Sequence, residues 1–320
     1  MDKTFEMLKK ELPGVKKQVP LAAHTTFNIG GPAEYFLPAT TQKEILRAIK
    51  TAKKIKLPVF VMGGGSNLLV SDSGVRGLVV KNQVTSPVVL KKNNVVEAPA
   101  GAVLGKVIDF SISKSLQGLE WAGGLPGTFG GGIRGNAGAF GGEMKDTIVS
   151  VRALDDQFNL RKLSNGESGF SYRSSIFKRK NWVVLSAQVK LKKGNKKKLK
   201  EISNSRKDYR KEKHPLEYPN AGSVFKNVAV KDLAPIFQSE FADKVKQDPF
   251  PIVPAAWFII GAGLAGKKVG RAQISQKHSN YIVNLGGAKA KDVLALIDMV
   301  KNNVKNKYGI VLEMEVQYLE

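Results

Sequence analysis

The chain has 320 residues, of which 42% are hydrophobic; it is long enough for two domains and too apolar for an intrinsically disordered protein. It contains no cysteine, which excludes disulfides, a cysteine nucleophile and zinc sites built on thiolates. The formal net charge of +24 raises the affinity for polyanions in general, without distinguishing nucleic acids, anionic membranes and nucleotide substrates.

No segment has the pattern of a secretory signal or of a membrane span. Met1 to Val15 mixes charged and apolar residues and lacks the continuous apolar core of a signal peptide. The most apolar run, Phe250 to Gly266, is interrupted by prolines and glycines and is shorter than the roughly 20 residues that span a bilayer. We therefore expect no transmembrane insertion and a cytoplasmic protein.

The first half of the chain predicts an alternation of helices and short strands. An N-terminal helix is followed by an extended segment from Leu21 to Gly31. Thr41 and Glu44 form a capping box, which predicts a helix that ends before Pro58. A further helix carries Val103, Val107 and Phe110 on one face. Runs of apolar and β-branched residues predict strands at Val59–Met62, Leu78–Lys81, Val95–Ala98, Ile148–Leu154 and Val183–Leu191.

The second half predicts a smaller α+β region. A lysine-rich tract near Asn195 fits a domain boundary, so we expect an N-terminal extension over 1–22, one domain over 23–195 and another over 196–320. Apolar residues at helical spacing predict a helix from about Lys291 to Lys307. In the last segment, Leu312 to Tyr318, apolar and polar residues alternate, which predicts a strand.

Two glycine-rich stretches stand out. Gly63 to Asn67 directly follows a predicted strand, so its backbone N–H groups could converge on a phosphate; a tight turn explains the same pattern equally well. Gly123 to Gly142 contains ten glycines, too many for ordinary helix or strand, and matches neither a Walker loop nor G-x-G-x-x-G. Together they predict a cradle for the diphosphate of a nucleotide.

These stretches and four later segments resemble, in the same order, the motifs of the UDP-N-acetylenolpyruvoylglucosamine reductase family. The resemblance runs from about Thr25 to Val316. The similar segments are Gly63–Leu69, Gly124–Gly131, Asn136–Gly142, Tyr172–Lys178, Ala221–Asn227 and Leu312–Val316.

The resemblance implies an α+β fold, with a vanillyl-alcohol-oxidase-type FAD-binding domain followed by a smaller substrate-binding domain. It also implies an NADPH-dependent reduction of the enolpyruvyl ether of UDP-N-acetylglucosamine to UDP-N-acetylmuramate, a step of peptidoglycan synthesis. The residues expected to bind FAD are Gly63, Gly64, Gly65, Ser66, Asn67, Leu68, Gly124, Pro126, Gly127, Thr128, Gly130, Gly131, Asn136, Ala137, Gly138 and Gly142.

Three residues are expected to act on the substrate. Arg173 would bind its carboxylate or the developing enolate, because a guanidinium offers a planar fork of donors. The resemblance assigns proton donation to Ser223, and Glu315 would assist enolate formation or protonation. By local pattern alone, Arg173 and Glu315 are more typical of surface residues, and Ser223 is more typical of a turn serine.

Further residues are expected to bind substrate. Lys226 and Asn227 follow Ser223, and Lys211 or Lys213 would pair with the UDP phosphates. His278 is a weaker candidate, since a lone histidine at the start of a strand is more often structural. We expect no metal, because the chain has three histidines and no cysteine.

The chain is nearer the subclass of the family that lacks a substrate-contacting tyrosine loop, since no tyrosine occurs after the strand at 183–191 before Tyr209. The segment 229–254, longer than in compact members, is a candidate for covering the uridine instead.

Two alternatives remain open at this point. One is another FAD-dependent alcohol or sugar oxidoreductase of the same fold. The other is a basic nucleic-acid-binding protein, although the lysine-rich runs lack the interleaved aromatic residues of single-strand binders. We expect a monomer whose partners are NADPH and the UDP-sugar, with no nucleic acid.

Overall fold

The computed structural model describes residues 2–320, whose contacts divide them into two compact units. Unit 1 holds the residues up to 19, 33–64 and 76–208, and unit 2 holds 20–32, 65–75 and 209–320. Both units mix helices and strands, which confirms the predicted α+β class. The predicted domain limits after residues 22 and 195 stay predictions.

The helices begin and end as follows: α1 Lys3–Glu11, α2 Gln42–Lys54, α3 Leu104–Ser113, α4 Phe129–Arg134, α5 Ile176–Arg179, α6 Lys196–Lys213, α7 Pro235–Glu240, α8 Ala255–Gly261 and α9 Ala290–Tyr308. No helix within residues 2–320 combines the length and the apolar character needed to cross a bilayer.

The strands are short and form several sheets. Their bounds are β1 Lys16–Pro20, β2 Pro32–Ala39, β3 Val59–Met62, β4 Leu68–Val70, β5 Val75–Asn82, β6 Val89–Lys91, β7 Val95–Pro99, β8 Leu116–Gln117, β9 Gly138–Ala139, β10 Gly142–Glu143, β11 Ile148–Leu154, β12 Leu160–Ser164, β13 Val183–Lys190, β14 Lys192–Lys193, β15 Asn220–Ser223, β16 Val228–Ala229, β17 Ile252–Val253, β18 Lys268–Val269, β19 Ala272–Ile274, β20 Tyr281–Asn284 and β21 Gln317–Leu319.

Unit 1 is built on two sheets, each with its own apolar core. One sheet has the strand order β1-β2-β5-β3, with β3 parallel to β5, and α1 and α2 pack on it through a shared cluster of buried residues. The other is antiparallel in the order β12-β11-β13-β7-β6 and shares its core with α3 and α4. The predicted capping box of α2 is present, with the Glu44 N–H donating to Oγ1 of Thr41.

Unit 2 is built on the antiparallel sheet β15-β20-β19-β18. Helix α9 buries the apolar stripe predicted for it, including Val293, Ile297, Val300 and Val304, and it ends at Gly309, whose φ of +70° suits a glycine C-cap. A second, two-stranded pairing joins β21 in parallel to β4.

The structure corrects two local predictions and adds a helix that the sequence did not predict. Leu21–His24 forms a turn of 3-10 helix instead of extended chain, and the C-terminal strand covers only Gln317–Leu319. The strand is short because its partner, Leu68–Val70, is short; before it, Met314 makes only an isolated bridge to Phe225. Helix α6 occupies the tract that the sequence marked only by its charge, since Leu199 and Ser203 are buried one turn apart.

Candidate active site

The two predicted glycine stretches meet within unit 1. A Cβ added to Gly63 would collide with Oγ1 of Thr128, and one added to Gly64 would lie 3.0 Å from Cα of Gly127. A Cβ at Gly63 would force the Thr128 side chain to move, and one at Gly64 would be tighter than most Cβ contacts in proteins, so glycine at both positions allows this approach of the two loops. Thr128 also caps α4, its Oγ1 accepting a hydrogen bond of 3.3 Å from the Gly131 N–H.

Several main-chain N–H groups on these loops are not used by the fold. Among residues 2–320, no hydrogen bond acceptor is found for the N–H groups of Gly64, Gly124, Gly127 and Thr128. The backbone at Gly124 and Gly127 has φ of +77° and +103°. A residue with a Cβ rarely adopts such positive φ values, so glycine is favoured at both positions. Loops of this kind form anion-binding nests, so these donors fit a diphosphate.

A cavity of about 210 Å³ adjoins this point of unit 1. Its lining includes Gly63, Thr128, Gly130 and Gly131. Eight of its seventeen lining residues are apolar or aromatic, and three are charged, namely Arg134, Asp156 and Lys180. Gly130 is also needed for packing, since a Cβ there would lie 2.5 Å from the Cβ of Ala100. The apolar and aromatic wall residues are Val59, Val61, Met62, Ala100, Phe158, Trp182, Val183 and Val184.

Other members of the second stretch have structural contacts. Asn136 is fully buried; its Nδ2 donates to the Ser171 carbonyl at 3.0 Å, and its Oδ1 accepts from the Lys145 N–H at 3.0 Å. Ala137 donates its N–H to Gly132, while Gly142 lies against the ring of Trp121. The Asn136 side chain thus holds a turn, and Pro126 is exposed.

That turn carries Arg173. Ser171 and Ser174 exchange main-chain hydrogen bonds of 3.0 Å, and Arg173 between them has a left-handed φ of +53°. Such a conformation is uncommon for arginine and clusters at functional sites. Nη2 of Arg173 donates to the Gly138 carbonyl at 2.9 Å, and the guanidinium lies 4.9 Å from the ring centroid of Tyr172. Backbone and ring contacts therefore fix the plane of the guanidinium.

The remainder of the first stretch belongs to unit 2. Gly65 is buried with φ of +67°, and a Cβ there would collide with the carbonyl oxygen of His24. Nδ2 of Asn67 donates to the main-chain carbonyl of Glu315 at 3.1 Å, and Leu68 pairs with Gln317. Asn67 therefore positions the segment that carries Glu315. Ser66 follows Gly65 and is partly exposed.

Unit 2 brings Ser223 and Glu315 close together. The Glu315 N–H donates to the carbonyl of Val224 at 2.8 Å, so Glu315 lies beside the end of β15. Ser223, the last residue of β15, pairs directly with Tyr281 on β20, so their side chains lie on the same face of the sheet. Burial raises the pKa of Tyr281 to about 12, and the carboxylate of Glu315 adds to the increase.

The predicted substrate-binding residues divide into two groups. Lys226 is mostly buried and pairs with the carboxylate of Glu313, and Oδ1 of Asn227 accepts a hydrogen bond of 3.2 Å from the first N–H of α8. Lys211 and Lys213, in contrast, are exposed at the end of α6.

His278 packs against Tyr281, with ring centroids 4.8 Å apart. Burial lowers its pKa, which favours the neutral ring. It therefore lies next to the tyrosine that contacts Ser223.

Sequence reasoning missed two residues at this point, Tyr281 and His214. Oη of Tyr281 and Nδ1 of His214 share a hydrogen bond of 3.1 Å. No local motif marks either residue, because β15, β20 and the end of α6 are separated along the chain and are joined only by the sheet.

Comparisons with known proteins agree with this arrangement. Residues 32–164 match the family model of an FAD binding domain, and residues 214–319 match that of the UDP-N-acetylenolpyruvoylglucosamine reductase C-terminal domain. The order of an FAD-binding domain followed by a smaller domain is thereby confirmed.

Two relatives and one solved structure match nearly the whole chain. The UDP-N-acetylenolpyruvoylglucosamine reductases of Caldanaerobacter subterraneus subsp. tengcongensis and of Alkaliphilus oremlandii are each 38% identical to it over 317 residues. These alignments cover 99% and 98% of this chain and 97% of each relative. The crystal structure of the Thermus caldophilus reductase is 31% identical, with a TM-score of 0.74 over 96% of this chain and 99% of that one.

Proposed function

The chain belongs to the UDP-N-acetylenolpyruvoylglucosamine reductase family, and from that premise we propose which of its residues bind the reactants and move the proton. The protein is an FAD-containing, NADPH-dependent oxidoreductase, a UDP-N-acetylmuramate dehydrogenase. It reduces UDP-N-acetylglucosamine enolpyruvate to UDP-N-acetylmuramate in the synthesis of peptidoglycan precursors. We further propose that it acts as a cytoplasmic monomer without a nucleic-acid partner.

FAD, when bound, supplies the hydride that originates from NADPH. The N–H groups of Gly64, Gly127 and Thr128 are suited to its diphosphate, because they have no acceptor among residues 2–320. The cavity beside Gly63 includes apolar and aromatic side chains, among them Phe158 and Trp182, against which a ring of the cofactor would pack. In unit 2, Gly65 and Ser66 likewise have N–H groups without an acceptor in the described chain.

Replacing Gly63 with alanine is expected to lower the FAD content of the purified protein by about tenfold or more, since the added Cβ collides with the side chain that caps α4. The measurement is the ratio of flavin to protein absorbance. Gly105→Ala is the matched control, because a Cβ at Gly105 meets no atom within 4 Å. Full flavin content in Gly63→Ala would contradict the placement of the diphosphate at these loops.

Arg173 is suited to the substrate carboxylate. Addition of a hydride to the vinyl carbon leaves negative charge that spreads onto the carboxylate oxygens, and preorganised donors stabilise that charge most effectively. The Gly138 carbonyl and the Tyr172 ring already hold the guanidinium, so its orientation costs nothing at the moment of reaction. We propose that Arg173 binds the carboxylate and stabilises the enolate.

Ser223 is suited to protonate the neighbouring carbanion. It ends β15 next to a glycine with φ of +79°, and it is the direct strand partner of Tyr281. Glu315, held beside Val224, would polarise the same site during enolate protonation. Lys226 and Asn227, which follow Ser223 in the chain, and His278, which packs on Tyr281, are proposed as substrate contacts.

The exposed lysines Lys211 and Lys213 are proposed to contact the UDP phosphates. The segment 229–254 contributes β16, α7 and β17 and exposes Ile236, so it is proposed to cover the uridine. The subclass without the tyrosine loop stays a prediction.

The observation that carries this function is the full-length likeness to reductases together with the Ser223–Glu315 arrangement. Its test is anaerobic spectroscopy. NADPH is expected to bleach the absorbance of the bound flavin, and addition of UDP-N-acetylglucosamine enolpyruvate to restore it. Restoration by oxygen alone, with no response to the UDP-sugar, would favour another FAD oxidoreductase, and a colourless protein would contradict flavin binding.

A further inference from the structure

Within unit 2, a row of polar side chains begins at Ser223. Ser223 and Tyr281 are direct partners on adjacent antiparallel strands, so their side chains lie on the same face of the sheet, and the Ser223 hydroxyl acts to lower the pKa of Tyr281, as a nearby hydrogen bond donor does. Beyond Tyr281, the next group is Nδ1 of His214, 3.1 Å from Oη. Three groups that can each give and take a proton thus follow one another in the order Ser223, Tyr281 and His214.

Packing fixes the members of this row. Tyr281 is 7% exposed, and its ring lies 5.1 Å from that of His214 and 4.8 Å from that of His278. The two imidazole rings meet edge to face at 5.5 Å. The Tyr281 hydroxyl therefore has little freedom to turn away from Ser223 and His214.

The proposed reaction at Ser223 requires a source of a second proton. A serine that gives its proton to a carbanion becomes an alkoxide, which is a strong base in a partly buried place. A second proton must reach its Oγ as the first one leaves. The buried Tyr281 hydroxyl is the donor that the fold places against it.

We propose that Tyr281 and His214 form a proton relay that replaces the proton of Ser223 as Ser223 protonates the substrate. The proposal rests on the proposed role of Ser223. In it, the Ser223 Oγ–H bond breaks as the substrate C–H bond forms, and the Tyr281 Oη–H bond breaks as Oγ–H reforms. His214 then gives its Nδ1 proton to Oη and takes one from water at Nε2. The net change is one proton from solvent, with no change of oxidation state in these residues.

Two features of the cluster suit this relay. Burial lowers the pKa of His214 to about 4, with smaller contributions from His278 and from nearby cations that disfavour a second positive charge there. The neutral ring can therefore exchange tautomers without taking up a net charge. The raised pKa of Tyr281 keeps its hydroxyl protonated at neutral pH. Nδ1 of His278 has no hydrogen bond partner in residues 2–320, so His278 packs beside the relay instead of extending it.

The test uses the holoenzyme with Tyr281→Phe and His214→Gln. Both variants should reduce their flavin with NADPH at the wild-type rate and reoxidise it with the UDP-sugar at least about tenfold more slowly. The wild-type reoxidation should show a solvent deuterium effect involving several protons, and each variant an effect involving fewer. Tyr308→Phe is the matched control, because Tyr308 is also buried in unit 2 but packs on Phe237, Phe241 and Phe258.

A second readout does not depend on turnover. Nitrogen NMR of labelled histidine should show the Nδ1 resonance of His214 shifting in Tyr281→Phe and not in Tyr308→Phe, because only the first variant removes its hydrogen bond partner. If either Tyr281→Phe or His214→Gln fails to fold, the solvent deuterium effect on reoxidation in the other variant tests the relay.

The outcomes separate the relay from the function on which it rests. Wild-type reoxidation and an unchanged isotope effect in Tyr281→Phe would overturn the relay, even if Ser223→Ala blocks reoxidation. Wild-type reoxidation in Ser223→Ala would overturn the role of Ser223 itself. Restoration of the His214→Ala rate by added imidazole would support the relay, since a merely structural histidine would not respond in this way.

Discussion

Replacing Ser223 with alanine is expected to leave reduction of the flavin by NADPH intact and to slow its reoxidation by the enolpyruvyl UDP-sugar by about 10² to 10⁴-fold. The reason is that the substrate carbanion would lose its proton donor, whereas the first half-reaction needs none from this residue. The loss of one hydroxyl at the end of β15 leaves the apolar core of unit 2 unchanged. Stopped-flow absorbance of each half-reaction under anaerobic conditions measures the effect.

Ser113→Ala is the matched control for this experiment, because Ser113 is exposed at the end of α3 and its hydroxyl donates to the carbonyl of Phe110. Both of its half-reactions should keep the wild-type rates. Equal losses in the two half-reactions of Ser223→Ala would argue against proton donation and for a general disturbance of the site.

Arg173→Lys should lower kcat by about 10² to 10³-fold, the usual result of removing a preorganised donor to a developing oxyanion. Lysine keeps the charge, but it cannot reproduce the planar fork or bond to the Gly138 carbonyl in the same orientation. The decrease should fall on the step that uses the UDP-sugar. Steady-state kinetics and the two separate half-reactions measure it.

Arg179→Lys provides the comparison, since Arg179 belongs to the same motif region but is exposed and bonds to Ser174 and Gly169. Its kcat should stay within about twofold of the wild type, as expected for a surface substitution. A similar loss in both variants would mean that positive charge in this region matters, not the fork of Arg173.

Elements with strong local signals were predicted correctly. The capping box of Thr41 and Glu44 and the apolar stripe of α9 both depend on residues within a few positions of one another. Helix α6 was missed because its amphipathic pattern is almost hidden by lysine, and only two of its early residues, Leu199 and Ser203, reach the core.

The site residues that belong to a sequence motif could be predicted, whereas the roles that depend on tertiary contacts could not. The order of motifs singled out Arg173, Ser223 and Glu315. Nothing in the sequence shows that the Asn136 side chain is hydrogen bonded to the turn before Arg173. Nor does it show that the Asn67 side chain is hydrogen bonded to the main chain of Glu315. These asparagines still belong to the predicted cofactor-binding set, but the contacts of their side chains are with the fold.

By itself, the sequence determined the α+β class, the family and the glycine loops, because helical and strand periods, caps and motif order are local properties of the chain. Only the tertiary structure decided that Gly63 and Gly64 contact Thr128 and Gly127. It also decided that Tyr281 pairs with Ser223 and is hydrogen bonded to His214. Those contacts join segments far apart in the chain. They are set by strand pairing and by the burial of apolar cores, whose free energy depends on the whole fold.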